Sequence, residues 1–156
     1  EYPYLNRFIG NKKVYAHNDF AVSMVVMRPG TDEDTFGKIY TDILPEVVDV
    51  LTPQECKLLL QLVQYLRKDS GVLKFKNNKP VTMDYIINQN KTAKRTVERA
   101  MAGLREKDIV QSIKRPQGRF LLLNPYVVMN GRRIDRTCYD IFYRSRWAAR
   151  SRNGNN

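Results

Sequence analysis

Between Thr52 and Gly71 the apolar residues Leu58, Leu59, Leu62, Val63 and Leu66 recur at i, i+3, i+4 and i+7 spacing, which buries one face of an α-helix. Thr52-Pro53-Gln54-Glu55 marks its start with a hydroxyl N-cap, a proline at the first helical position and the glutamate of a reciprocal capping box. Leu51 and Cys56 are placed to clasp that start as a hydrophobic staple, and Ser70-Gly71 is the predicted stop. The same spacing returns at Val97, Ala100, Met101 and Leu104, with Thr92 as the predicted cap and Lys94, Arg95, Thr96, Glu98 and Arg99 mostly on the opposite face. Between these helices lie an apolar piece, Val72 to Phe75, a polar turn, Lys76 to Pro80, and a short helix. Thr82 caps that helix, Met83, Ile86 and Ile87 face inward, and Asn88-Gln89-Asn90 ends it, asparagine tolerating left-handed backbone.

Asp108–Ile113 and Arg119–Leu123 read as strands around the basic turn Lys114-Arg115-Pro116-Gln117-Gly118. Upstream, Asp19–Met27 reads as a strand stopped by Arg28-Pro29-Gly30, Phe36–Tyr40 as a second strand, and Pro45–Val50 as a short helix carrying Val47, Val48 and Val50 inward. Downstream, Ile134, Cys138, Ile141 and Phe142 have roughly helical spacing. The predicted class is α+β: a winged helix-turn-helix with N-terminal strands and a C-terminal helical extension. The expected divisions are a strand-rich extension over 1–50, the winged helix-turn-helix over 51–130, and an arginine-rich helix and tail over 131–156. A chain of 156 residues is long enough for one well-buried core, and runs such as Leu121–Leu123 or Val25–Met27 fall far short of a membrane span, so no membrane partner is expected.

Charge sharpens this picture by where it sits. Residues 1–90 hold 11 basic and 11 acidic side chains, residues 91–119 hold 9 against 3, and residues 131–152 hold 7 against 2, so two blocks carry the whole net charge of +11. Segregated positive charge attracts polyanions, of which nucleic acid is the commonest inside cells. In a helix-turn-helix the start of the second helix reaches base edges, here Lys91, Thr92, Lys94, Arg95, Thr96 and Arg99. Arg95 and Arg99 have the fork that pairs twice with guanine, and Thr92 and Thr96 can bond phosphate or base. The hairpin presents Lys114, Arg115, Gln117 and Arg119 to an adjacent backbone or minor groove. Beyond it Arg132, Arg133, Arg136, Arg144, Arg146, Arg150 and Arg152 surround the last apolar stripe, either as a second DNA-contacting surface or as the solvated side of a dimerisation helix. Trp147 and Tyr143 are placed either to stack on a base or, more commonly for such aromatics, to pack.

Acid–base or nucleophilic catalysis needs titratable groups that converge, and the sequence offers few. The lone His17 sits in a polar stretch, Asp32-Glu33-Asp34 are adjacent in a predicted loop, and Cys56 and Cys138 lack the Cys/His neighbours of a metal site. No phosphate-binding glycine loop or GxSxG elbow occurs. No enzymatic role, metal or cofactor is expected, and a reduced, cytoplasmic setting fits the two isolated cysteines.

The stretch TMDYIINQNKTAKRTVERAMAGLREKDIV and the following GRFLLLNPYVVMNG resemble the winged-helix region of firmicute plasmid replication proteins of the RepL type, the exit Asn124-Pro125-Tyr126 being the more telling part. The resemblance spans about 36–131 and implies sequence-specific binding of double-stranded DNA at a replication origin, without catalysis. A homodimer and host replication proteins are the further partners to consider. A transcriptional regulator on the same fold, and a winged helix that serves as a protein-interaction module in a replication or transfer complex, remain as alternatives.

Overall fold

The structure is a computed structural model that describes residues 38–131 and 133–148. Their order is β1 (Lys38–Ile39), α1 (Leu44–Val50), α2 (Pro53–Val63), α3 (Met83–Gln89), α4 (Lys94–Glu106), β2 (Val110–Arg115), β3 (Gly118–Leu123), β4 (Val128–Met129) and α5 (Arg136–Phe142). The class is α+β, with two small antiparallel sheets, β1 with β4 and β2 with β3. The strand expected at 19–27 and the start of the one expected at 36–40 lie outside the described residues.

In α1 only Val47 of the three valines turns inward, while Val48 is 52% exposed and Val50 also faces solvent. The reason is angular: Ile43 and Val47, four apart, make the buried stripe, and the other two valines fall off it.

α2 opens as its sequence requires, with Thr52 Oγ1 accepting from the Glu55 amide at 3.3 Å and Glu55 Oε2 accepting from the Thr52 amide at 3.0 Å. It ends at Val63, well before Ser70-Gly71. Leu66 is buried for another reason: its backbone forms an antiparallel bridge with Leu73, and the Lys74 amide donates to the Tyr65 carbonyl at 3.0 Å. A bridged residue thus continued the helical spacing by coincidence.

The segment after the bridge lies against the hairpin through a second isolated bridge. Val72 pairs antiparallel with Leu122, and the Leu73 and Leu123 amides donate to Leu121 and Gly71 carbonyls, each at 2.8 Å. Gly71 allows this approach because a Cβ there would overlap Cys138 Sγ and lie 3.0 Å from the Leu123 carbonyl oxygen.

Thr82 caps α3 by accepting from the Tyr85 amide at 3.2 Å, and Ile86 is buried with Met83 and Ile87 half-buried beside it. The helix continues through Gln89, and Asn90 is extended rather than left-handed. Its side chain ends the helix by donating Nδ2 to the Ile86 carbonyl at 2.7 Å. Ala93, not Thr92, is the N-cap of α4, and it offers no side-chain acceptor. Val97, Ala100, Met101 and Leu104 form the expected buried stripe.

Asp108 takes a left-handed φ of 59°, and the Ile109 amide reaches back to the Leu104 carbonyl at 2.9 Å, a Schellman-type stop built without glycine. β2 then starts at Val110 rather than Asp108. The loop of the hairpin is only Pro116-Gln117, closed by Gly118 at φ 127°, so Lys114 and Arg115 are strand residues rather than turn residues.

β3 is buried on both faces, as period-two alternation allows. Leu121 and Leu123 join the main core with Leu62, Leu73 and Leu104, while Phe120 and Leu122 pack with Val72, Cys138 and Phe142 under α5. Ile134 precedes α5 and is exposed instead of joining its apolar stripe. Ile43 and Val47 from before Leu51, and Trp147 from after Gly131, belong to the same main core.

Candidate nucleic-acid interface

The first half of α4 presents one side to water because its other side is occupied by the Val97–Leu104 stripe. Lys91, Thr92, Lys94, Arg95 and Arg99 are exposed and Thr96 is half-buried. Lys94 Nζ lies 3.8 Å from Glu98 Oε1, both side chains well exposed, a pairing worth only a few tenths of a kcal/mol. Arg95 and Arg99 make no ion pair among the described residues. With no side-chain cap and no acidic residue in the first turn, nothing on the helix offsets its positive N-terminal end.

Beside this end runs a small cleft where α2 meets the α3–α4 connection. Gln54, Lys57, Asn90, Thr92 and Thr96 provide its polar rim, over a floor of Leu58, Val97 and Ala100. Gln54 and Lys57 are not among the residues that the sequence singles out for DNA. Both sit on the polar side of the first turns of a helix whose spacing is plain, but nothing local says that this side adjoins Thr92.

At the hairpin, Lys114, Arg115, Gln117 and Arg119 are all exposed. Arg119 Nη1 donates to Ser112 Oγ at 3.3 Å, and Arg115 Nη2 donates to Thr137 Oγ1 at 3.3 Å, which ties the strand end to α5. A cavity of about 460 Å³ lies on this side, lined by Lys74, Arg115, Phe120, Asp69, Asp135 and Thr137 among others. Its charges are mixed, and Lys74 Nζ stands 5.8 Å from the Phe120 ring centre.

The C-terminal arginines divide by role. Arg133 is exposed, and its backbone amide donates to Asp69 Oδ1 at 3.0 Å. Arg146 is engaged internally, with Nε 3.8 Å from Asp108 Oδ2 and Nη2 donating to the Glu106 carbonyl at 3.2 Å. Arg132, Arg150 and Arg152 lie outside the described residues. Trp147 is only 2% exposed, and its Nε1 donates to the Lys107 carbonyl at 2.8 Å, so packing and not base stacking accounts for it.

Burial raises the Tyr40 hydroxyl above its ordinary range, and burial followed by the hydrogen bond with Tyr85 pushes Tyr65 up to about 12. Burial also pushes the Cys138 thiol up to about 12, helped by the Asp135 charge and opposed by a hydrogen bond at Gly71. These groups keep their protons at neutral pH. Among the described residues no cluster of three or more His, Cys, Asp and Glu could hold a metal, and no helix is long and apolar enough to cross a membrane. His17 and Asp32–Asp34 lie outside the described residues. Comparison with protein-family models, with curated proteins and with solved structures finds no match for this chain.

Proposed function

We propose that this protein holds duplex DNA through a winged helix-turn-helix, with α3 and α4 as the paired helices, α4 as the recognition helix and β2–β3 as the wing. The observation that carries the proposal is the division of α4, whose aliphatic stripe is buried while Arg95 and Arg99 face water without an acidic partner among the described residues. The order of α2, a short extended segment bridged to β3, α3, α4 and a two-stranded hairpin fits that architecture. The bare N-terminus of α4 and the Gln54–Lys57 cleft offer phosphate contacts on one flank, and Lys114, Arg115, Gln117 and Arg119 offer them on the other.

Within DNA binding, initiation of replication at an origin is the reading favoured by the resemblance of about 36–131 to plasmid replication proteins. The protein would act by occupying and organising the site, with no chemistry of its own. The test is a footprint and gel shift of the whole chain on its own replicon. Replacing both arginines, Arg95→Ala with Arg99→Ala, should weaken specific binding by about 30-fold or more at fixed salt, since each bidentate base contact discriminates by ~1–3 kcal/mol. Unchanged affinity would remove α4 as the reading element. Maintenance in trans of a plasmid carrying only the candidate origin separates replication from regulation of transcription.

A further inference from the structure

α5 and its C-cap carry an aromatic pair beside the residues that seat the helix. Cys138 and Phe142, four apart, are the buried residues that seat the helix. Tyr139 and Tyr143, also four apart, stand one position further round, where i, i+4 neighbours meet along the helix surface. Their rings stack, with centres 5.7 Å apart and planes inclined by 19°. Tyr139 remains 48% exposed, more than any other aromatic side chain among the described residues.

One cation meets the pair, and a second lies on the same helix. The Arg144 guanidinium carbon is 5.1 Å from the Tyr143 ring centre, within the range of a cation–π contact. Arg136, three residues before Tyr139, has a side chain 93% exposed, and its ion-pair partner, the exposed Asp140, is 3.8 Å away.

We propose that the Tyr139–Tyr143 stack is a platform for an unpaired base of single-stranded DNA, with Arg136 and Arg144 meeting the flanking phosphates. A half-exposed aromatic surface with Arg144 over one ring and the exposed Arg136 on the same helix suits a polyanion whose bases have free faces, and such stacking tolerates any sequence. A second copy of the chain is the competing occupant, which the sedimentation arm below separates from DNA. The choice of DNA rests on the duplex reading above, since Arg115 ties the hairpin to Thr137 of this helix. The stack itself does not depend on that reading.

The experiment is fluorescence anisotropy of the full chain with a labelled oligothymidine of about 20 nucleotides and, in parallel, with its specific duplex site. Tyr139→Ala should weaken oligothymidine binding by about 5- to 150-fold, the span of one lost base stack, whereas Tyr139→Phe should retain it. Arg95→Ala with Arg99→Ala should leave oligothymidine binding within about twofold and affect only the duplex, so the two proposals fail separately. The platform is overturned if a Tyr139→Ala variant with unchanged circular dichroism binds oligothymidine like the parent, or if the parent shows no saturable binding at low salt. It is equally overturned if sedimentation finds a dimer that Tyr139→Ala converts to monomer without changing oligothymidine affinity.

Discussion

Gly103→Ala in α4 should destabilise the protein, although alanine is ordinarily the better residue inside a helix by about 1 kcal/mol. The reversal comes from Glu55, which is 6% exposed and packs against this glycine. An added Cβ would overlap Glu55 Oε1 and lie 2.8 Å from its Cδ, so the carboxylate must move. That carboxylate closes the capping box of α2 and accepts a short charged hydrogen bond from Lys107, whose side chain is 21% exposed. Losing the cap costs about 1 kcal/mol, and weakening the bond to a partly desolvated ammonium about 2 more. Against the gain of about 1 in helix propensity, the net loss is ~2 kcal/mol, a fall of roughly 4–8 °C in Tm for a chain of this size.

Urea and thermal unfolding followed by far-ultraviolet circular dichroism would measure this, with the fluorescence of the buried Trp147, the sole tryptophan, as a second probe. The decisive comparison is the same change in a Glu55→Ala background. With the carboxylate gone, Gly103→Ala should become stabilising by about 1 kcal/mol, which makes the coupling between the two positions about 3 kcal/mol. A stabilising Gly103→Ala in the parent, or an equal loss in both backgrounds, would refute the reasoning.

Thr52→Ala should cost about 1 kcal/mol by removing the acceptor of the Glu55 amide, and the urea midpoint should fall without a change in slope. The Cys138 thiol, raised from 9.0 to about 12, makes a prediction about alkaline pH. Because the unfolded chain loses this proton first, the stability tied to it is intact below about pH 9 and is lost as pH climbs toward 12. Urea midpoints should drop across that window, and drop less in Cys138→Ala. At pH 8 a thiol reagent should modify the half-buried Cys56 well before the buried Cys138, as mass spectrometry of the labelled peptides would show.

The parts of this fold that could be read in advance are those whose signal is local. The stripes of α2 and α4, the Thr52–Glu55 box and the paired apolar runs of the hairpin all lie within a few turns of chain, where spacing alone decides which side is buried. What escaped reading depends on partners far away in sequence. Leu66 looked helical because a bridge to Leu73 buries it, Glu55 was legible as a cap but not as the partner of Lys107, and Arg146 looked free although it is bound to Asp108 and Glu106. The candidate surface divides the same way. The exposed cations of α4 follow from helical geometry, whereas the meeting of Gln54 and Lys57 with Thr92 and Thr96 requires knowing how α2 crosses the α3–α4 connection.

Trp147 shares its core with Ile43 and Val47, which lie about a hundred residues earlier in the chain. During synthesis the early helices must therefore wait with part of their apolar surface uncovered until the segment that carries Trp147 has emerged from the ribosome. Messages cut short before that point would yield chains whose core lacks its final wedge, and such products would be natural prey for proteases and chaperones rather than partly active fragments.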